Sequence, residues 1–235
     1  GGYAAGAVTC IVDEDTTHVK GVHLIPADMI AGQIRSFLGD VGADCIKIGM
    51  LYSKNIIRLV AGILDEYSSI PVVVDPVMVT SSGDKLLEED AVQAYKDYLF
   101  PRASILTPNK KEAEWLCGKE LNEGNIEECL KDLSRWGNSV VIKSVENRDL
   151  FIDYYYNPVE KVMKVYKKEG IRTRNVNGTG DSFASAIATF LSKGYGIEFA
   201  VAEAERFIQQ SIELGARFKF GRGFGPVYPY YEVQE

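Results

Sequence analysis

The sequence predicts an α/β fold in which helices cover both faces of a mainly parallel central sheet. The main observation behind this prediction is that short apolar runs alternate with segments of helical periodicity along most of the chain. Alternation of this kind gives parallel strands joined by helical crossovers. The length of 235 residues suits one large domain, and 46% hydrophobic with 25% charged residues is an ordinary globular composition. We therefore expect residues 1–235 to form a single domain.

The predicted strands of the parallel sheet are short apolar runs, each bounded by Gly, Asp or Pro and too short for a helix. They cover residues 4–12, 45–48, 71–74, 104–106 and 139–142. Residues 150–156 and 162–166 are instead predicted to form a hairpin of half-exposed strands around Asn157 and Pro158.

The predicted helices lie between these runs, where apolar side chains recur with the period of a helix. Their apolar faces contain Met29, Ile30, Ile34, Phe37, Leu38 and Val41, then Ile56, Val60, Ile63 and Leu64, then Ile126, Cys129, Leu130, Leu133 and Trp136. Two longer helices, at about residues 181–193 and 197–218, are predicted to close the chain. Ligands in such folds bind beyond the carboxyl ends of the strands, so polar segments at those ends are the candidate site.

The composition argues against several classes of function. The formal charge of −7, from 26 basic and 33 acidic residues, disfavours nucleic acid or an anionic membrane as a partner. No apolar stretch approaches the roughly 20 residues of a membrane span, and no basic-flanked leader is recognisable, so we expect a cytoplasmic protein. Two histidines leave little material for a histidine zinc site or a Ser-His-Asp triad. No CxxC pair occurs, and reduced thiols are expected at Cys10, Cys45, Cys117 and Cys129.

A polar loop with two glycines, at residues 175–183, leads directly into the first closing helix. Gly178 and Gly180 permit backbone angles that bring several N–H groups to one point, at the positive end of the helix dipole. Such a nest binds a phosphate or a developing phosphoryl charge. Asp181 faces the same point, where it either takes a proton from an attacking hydroxyl or only caps the helix. No GxxxxGK[ST] motif occurs, so a Walker-type nucleotide site is excluded.

Polar side chains follow three further predicted strands. Asp75 is either a site carboxylate at a strand end or a turn aspartate. Asn109 and Glu112 have the spacing of a capping box, but Glu112 and Asp75 could also hold Mg²⁺ through water. Lys143 ends its strand where one positive charge would lie near bound phosphates.

In chain order, these segments resemble the ribokinase superfamily, in particular its hydroxymethylpyrimidine/phosphomethylpyrimidine kinases and its pyridoxal kinases. The matching segments are 47–51 (KIGML), 75–79 (DPVMV) with 82–84 (SGD), 106–109 (LTPN) with 112–114 (EAE), 178–181 (GTGD) and 221–227 (GRGFGPV). They span essentially the whole chain. The runs DPVMVTSSGDKLL and GRGFGPV look most like the hydroxymethylpyrimidine kinases.

The resemblance implies roles that agree with those argued from the residues, with ATP and Mg²⁺ as cofactors. Gly178, Thr179 and Gly180 would form an anion hole, and Asp181 would activate the substrate hydroxymethyl group. Residues for ATP and its phosphates would be Lys143, Asn109, Thr107, Gly223 and Pro226, the last two near the adenine. Residues for the substrate would be Met50, Glu14 and Val12. Asp75 and Glu112 would hold Mg²⁺, through water.

The chain departs from the hydroxymethylpyrimidine kinase pattern at two of these positions. Asp181 stands where those kinases typically have cysteine, and here the chain is similar to pyridoxal kinases and ribokinases. Glu14 stands where the family has glutamine. An ionised carboxylate only accepts hydrogen bonds, so Glu14 would suit a protonated ring or another ligand, unless it is simply solvated.

The expected activity is ATP- and Mg²⁺-dependent phosphorylation of the hydroxymethyl group of 4-amino-5-hydroxymethyl-2-methylpyrimidine, and possibly of its monophosphate, in thiamin biosynthesis. One alternative is a pyridoxal/pyridoxine kinase, and another is a non-catalytic ligand sensor with a kinase fold. The resemblance also implies a homodimer. It further implies a central strand and a Ser/Gly-rich loop before Gly1.

Overall fold

The structure, a computed structural model, describes residues 1–78, 91–147 and 150–230. It has eight strands within these ranges: β1 Cys10–Glu14, β2 Val19–Leu24, β3 Ile46–Ile48, β4 Val72–Val74, β5 Ile105–Leu106, β6 Ser139–Asn147, β7 Leu150–Asn157 and β8 Val162–Glu169. The α-helices are α1 Ala27–Asp40, α2 Lys54–Glu66, α3 Ala91–Ala94, α4 Lys110–Cys117, α5 Ile126–Leu133, α6 Thr179–Ser192 and α7 Ile197–Gly215. A π-helical turn, Tyr95–Leu99, and a 3₁₀ turn, Phe100–Arg102, follow α3.

The central sheet has six strands in the order β3-β4-β5-β6-β7-β8. The pairs from β3 to β6 are parallel, and β7 and β8 add an antiparallel hairpin at one edge. The predicted α/β class and the predicted hairpin are both confirmed. The four parallel strands bring their carboxyl ends to one edge of the sheet.

Helices cover both faces of this sheet because the side chains of its strands alternate between two cores. Val72, Val74 and Leu106 pack towards α1, α2, α4 and α5. Val73 and Ile105 pack towards α6 and α7. The strands are buried from both sides, which explains why they read as continuous apolar runs.

The first predicted strand, residues 4–12, is wrong in position and in pairing. Only Cys10–Glu14 is a strand, and it pairs antiparallel with Val19–Leu24 in a separate two-stranded sheet. The apolar run was misleading because Ile11 faces solvent with 57% of its surface exposed. The second strand was missed, since Lys20, Gly21 and His23 interrupt its apolar pattern.

The three helices predicted from periodicity are confirmed, and so are the two closing helices. The last one ends at Gly215 rather than near residue 218. A side chain at that glycine would press on the backbone of Val227 and Tyr228, which pack against the end of α7. The segment Ala91–Arg102 was not predicted as helical.

The expectation of four reduced cysteines is wrong for one pair. Cys117 at the end of α4 and Cys129 in α5 form a disulfide, with their Cα atoms 6.0 Å apart. The two helices pack side by side, which brings together cysteines that the sequence separates by 12 positions. Cys10 and Cys45 are free thiols.

Within the described ranges, every helix is too short or too polar to traverse a bilayer.

Candidate active site

The candidate site lies where the carboxyl ends of the parallel strands face the start of α6. Lys47 belongs to β3, Asp75 follows β4, Thr107 follows β5 and Lys143 belongs to β6. Contacts between these side chains and residues 180–181 join the four strands to one helix terminus. This is the edge at which ligands bind in open α/β sheets.

The start of α6 is shaped by its two glycines. Gly178 precedes the helix with φ 79°, a left-handed conformation that favours glycine. The Thr179 hydroxyl donates to the Val176 carbonyl at 2.6 Å, which closes the turn. Gly180 follows in the first helical turn, where backbone N–H groups have no intrahelical acceptor. No described side chain caps this turn, and the Thr179 amide donates to the Val176 carbonyl at 3.2 Å. The amides of Gly180 and Asp181 are the ones that an anion could use.

A buried ion pair lies directly beside Gly180. Lys143 Nζ donates to Asp75 Oδ1 at 2.9 Å, and the Thr107 hydroxyl donates to the same oxygen at 3.0 Å. A Cβ atom at Gly180 would be 3.2 Å from Lys143 Nζ and 3.6 Å from Asp75 Oδ2. The missing side chain therefore lets the helix terminus approach the pair closely. Burial alone would lower the pKa of Lys143, but Asp75 and Glu112 outweigh it and raise that pKa, so the lysine stays charged.

The predicted capping box is present at the start of α4. The Asn109 side chain accepts from the Glu112 amide at 3.0 Å, and Glu112 accepts from the Asn109 amide at 2.8 Å. The second oxygen of Glu112 accepts from the Met78 amide at 3.3 Å. Burial, followed by repulsion from Asp75, raises the pKa of Glu112 to about 7. The box is thus a helix cap that also supplies a buried carboxylate behind Asp75.

Asp75 and Glu112 are the carboxylates at this site that could hold Mg²⁺. Both oxygens of Glu112 and Oδ1 of Asp75 already accept hydrogen bonds, which leaves Asp75 Oδ2 facing Gly180. Among the described residues, no group of three or more His, Cys, Asp and Glu side chains could hold a metal ion. Mg²⁺ is commonly held by one or two carboxylates, waters and substrate phosphates, and the donor set fits that mode.

Asp181 is held by a lysine that sequence reasoning missed. Lys47 Nζ lies 2.9 Å from Asp181 Oδ1, and both lie against Gly49, where a Cβ atom would be 2.8 Å from the nitrogen and 3.8 Å from the oxygen. The Asp181 side chain is 65% exposed, so its carboxylate can be reached from solvent. Lys47 could have been identified from its position two residues before Gly49, on a strand that ends at the site.

The residues predicted for the substrate lie on the β3 side of the site. Met50 follows Gly49; its carbonyl accepts from the Thr9 hydroxyl at 2.9 Å, and its sulfur lies 4.0 Å from the Cys10 thiol. Cys10 and Val12 alternate along β1 and so share one face of that strand, while Glu14 follows a register shift in the pairing of β1 with β2. Val12 is half-buried and Glu14 is exposed at the end of the strand.

The residues predicted near the adenine lie on the C-terminal segment, at two separate places. The Gly223 amide donates to the Thr16 hydroxyl at 3.1 Å, in the turn between β1 and β2. Pro226 forms an isolated bridge with Asn177, in the loop before α6. A side chain at Gly223 would collide with the Thr16 backbone, so this approach requires glycine.

Two further regions lie apart from the residues described above. Residues 82–84, which carry part of the family resemblance, lie outside the described residues. A groove of about 730 Å³ elsewhere on the surface, lined by residues that include Lys110, Leu150 and Tyr154, contains none of the predicted site residues.

The carboxyl ends of the parallel strands face a helix that begins with two glycines. This fold and this site place the protein in the class of ribokinase-like kinases. A family model described as phosphomethylpyrimidine kinase matches residues 1–228. The chain belongs to the phosphomethylpyrimidine kinase family.

Individual relatives agree with this assignment. The chain is 36% identical over 234 residues to a thiamine biosynthesis bifunctional protein of Geobacter sulfurreducens, covering 97% of this chain and 46% of that protein. It therefore spans less than half the length of that relative. It is 33% identical over 238 residues to a hydroxymethylpyrimidine/phosphomethylpyrimidine kinase of Mycobacterium bovis, covering 99% of this chain and 85% of that one.

A solved structure shares the fold over nearly the whole chain. It is the pyridoxal kinase of Staphylococcus aureus in complex with AMP-PCP and pyridoxal, with a TM-score of 0.85 and 29% identity. The match covers 97% of this chain and 83% of that one.

Proposed function

We propose that this chain transfers the γ-phosphoryl group of ATP to the hydroxymethyl group of 4-amino-5-hydroxymethyl-2-methylpyrimidine. The observation that carries the proposal is that two lysine–aspartate pairs flank the start of α6. Lys47–Asp181 lies on the side of Met50, and Lys143–Asp75 lies beside Gly180. Such a site has an acceptor side and a phosphate side, as phosphoryl transfer requires.

On the acceptor side, Asp181 takes the proton of the substrate hydroxyl. The hydroxymethyl oxygen attacks the γ-phosphorus, the bond from that phosphorus to the β–γ bridging oxygen breaks, and ADP leaves. Lys47 keeps the carboxylate at the mouth of the site until the alcohol arrives. The exposure of Asp181 favours this role, since a base must exchange its proton with solvent after each turnover.

On the phosphate side, the amides of Gly180 and Asp181, within the Gly178–Asp181 turn, stabilise the negative charge of the transferring group. Lys143 offsets charge on the β- and γ-phosphates, and Asp75 with Thr107 holds its ammonium group beside Gly180. Asp75 and Glu112 would hold Mg²⁺ through water, and the bound ion would neutralise further phosphate charge. Asn109, Gly223 and Pro226 are proposed to contact the nucleotide.

The choice of pyrimidine over pyridoxal is supported by the family and by the Mycobacterium bovis relative. Pyridoxal/pyridoxine kinase is the second candidate because Asp181 follows the Gly-Thr-Gly turn and because the Staphylococcus aureus structure holds pyridoxal. A non-catalytic sensor is disfavoured, since a sensor would not need to keep the Lys47–Asp181 pair. Met50, Val12 and Glu14 are proposed to contact the ring.

The test compares both alcohols with one preparation, by following ADP release with Mg²⁺ and ATP present. We expect kcat/KM for the aminopyrimidine to exceed that for pyridoxal at least tenfold, about 1.4 kcal/mol of transition-state discrimination. A clear preference for pyridoxal would reassign the substrate. ADP release at background with both alcohols would favour the sensor.

A further inference from the structure

Lys143 lies in a break in the regular pairing between β6 and β7. Ile142 pairs with Tyr154 and Val145 pairs with Ile152, so Lys143 and Ser144 together oppose a single residue, Asp153. This is the pattern of a β-bulge, which bends a strand and re-aims its side chains. Ser144 adopts φ 58°, a left-handed conformation that costs a non-glycine residue energy. Something must hold the bulge in place.

The Asp153 side chain supplies that hold. Its Oδ1 atom accepts from the Ser144 amide at 2.6 Å and so replaces the ladder hydrogen bond that the bulge removes. The Lys143 amide is anchored in the other direction, on the Pro108 carbonyl at 2.9 Å. The bulge is therefore fixed by β7 on one side and by Pro108, two residues beyond β5, on the other. The Lys143 side chain leaves it towards Asp75.

The Asp153 side chain lies in a buried cluster on the side of the sheet that α7 covers. Its Oδ2 atom lies 2.8 Å from Lys168 Nζ of β8, and the same lysine pairs with Glu205 of α7. Asp153 is 4% exposed and Glu205 is 5% exposed. Two buried carboxylates sharing one lysine are costly, and repulsion from Asp153 adds to burial in raising the pKa of Glu205. None of these three side chains contacts the candidate site.

We infer that Asp153 is a positioning residue for Lys143. Through the Ser144 amide it holds the bulge that directs the lysine to Asp75 and to the start of α6. This inference rests on the proposed function for one step only, the binding of nucleotide phosphates by Lys143. The alternative is that the Asp153–Lys168–Glu205 cluster only fastens the β7–β8 hairpin to α7.

Matched substitutions separate these two roles. Asp153→Ala and Asp153→Asn both remove the charge, but asparagine keeps an oxygen that can accept from the Ser144 amide. We expect Asp153→Ala to raise the KM for ATP about tenfold and leave the KM for the pyrimidine unchanged, since one charged contact to phosphate is misplaced. Asp153→Asn should keep the KM for ATP within about threefold of wild type. Equal impairment of the two variants would overturn the inference.

Two more variants guard against a simple loss of stability. Adding Ser144→Gly to Asp153→Ala should recover most of the ATP affinity, because glycine adopts the bulge conformation without strain. Lys168→Met breaks the same cluster but leaves the Asp153 oxygen on the Ser144 amide. It should lower the melting temperature and leave the KM for ATP within about twofold. If Lys168→Met raises the KM for ATP as much as Asp153→Ala does, the inference is overturned, and the cluster only attaches the β7–β8 hairpin to α7.

A structural measurement keeps the inference separate from the proposed function. Crystal structures of wild type and Asp153→Ala would show whether Lys143 Nζ leaves Asp75. Should Asp153→Ala not fold, Asp153→Leu takes its place, because leucine fills the buried position but offers the Ser144 amide no acceptor. An undisturbed Lys143–Asp75 contact after loss of the Ser144 anchor overturns the inference whatever the enzyme transfers. If wild type transfers phosphate to neither alcohol, the proposed function fails, and the crystal structures alone decide the role of Asp153.

Discussion

At the scale of single residues, the two lysine–aspartate pairs differ in exposure, and this difference suits them to different roles. The Lys143 and Asp75 side chains are 9% and 3% exposed, whereas those of Lys47 and Asp181 are 22% and 65% exposed. Removing one partner of a buried pair leaves an uncompensated charge in the protein, and this is strongly destabilising. A half-exposed pair contributes little to stability. Asp181 can therefore change partners during a reaction, while Asp75 is a fixed part of the structure.

Asp181→Asn should reduce kcat at least about a hundredfold, because asparagine keeps the shape and a contact to Lys47 but cannot take a proton. The melting temperature should stay close to that of wild type. Steady-state kinetics and thermal denaturation measure the two effects, with Asp40→Asn, at the exposed end of α1, as the matched control. A kcat near the wild-type value would reduce Asp181 to a residue of the first helical turn.

Single functional residues could be predicted from the sequence where the flanking residues form a recognisable pattern, and were missed where they do not. Asp75 and Lys143 each directly follow an apolar run, and both lie at the site. Lys47 and Asp153 were not identified as functional residues. A single charged residue in a strand usually faces solvent, so the sequence around it does not distinguish a functional role. Their roles depend on partners 134 and 9 positions away along the chain, which no local pattern shows.

At the scale of elements, the two glycines at the start of α6 are needed for different reasons, one for its backbone conformation and the other for the space it leaves. Gly178 needs glycine because its φ is 79°. Gly180 lies within the helix, and the limit there is the 3.2 Å between an added Cβ atom and Lys143 Nζ. Two glycines that look equivalent in the sequence therefore serve different ends.

Gly180→Ala should leave the protein as stable as wild type, since alanine favours the helix by up to about 1 kcal/mol and offsets the tight contact. Its kcat/KM should fall at least about tenfold, because the methyl group occupies the place proposed for a phosphate oxygen. Gly178→Ala should instead lose about 1 kcal/mol of stability through backbone strain. Chemical denaturation and kinetics on both variants check the contrast; a stable and fully active Gly180→Ala would contradict the proposed anion hole.

Periodicity predicted the elements of the central sheet well and the hairpin before it poorly. Residues 72–74 and 105–106 are buried on both faces, so they form continuous apolar runs. β2 is half-exposed and contains Lys20 and Gly21, and its identity as a strand depends on pairing with β1. Strand order and the disulfide between Cys117 and Cys129 likewise depend on tertiary contacts and have no local signal.

At the scale of the whole molecule, buried carboxylates on opposite sides of the sheet make stability depend on pH. Glu112 belongs to the α4 side, with its pKa raised to about 7, and Glu205 belongs to the α7 side, with its pKa raised to about 8. Between the ordinary pKa of glutamate and these values, the folded state binds more protons than the unfolded state. Stability attributable to these groups therefore falls as pH rises through that window.

Glu112→Gln should remove one part of this dependence. Glutamine keeps the capping box but does not titrate, so between pH 5 and 7 the free energy of unfolding should fall less steeply than in wild type, by roughly 1–2 kcal/mol over the window. Urea denaturation at a series of pH values measures this, with the exposed Glu128→Gln as control. A slope equal to that of wild type would mean that Glu112 keeps an ordinary pKa in the folded protein.

The hydrogen bonds from Gly223 and Phe224 to Thr16 join regions more than 200 positions apart. The Phe224 amide donates to the Thr16 carbonyl at 2.7 Å, so the tail acts as a latch on the tip of the β1–β2 hairpin. These hydrogen bonds join the strand that carries Val12 and Glu14 to the tail that carries Pro226. If the two segments contact the two substrates as proposed, a shift of the hairpin on binding one substrate would be passed to the tail.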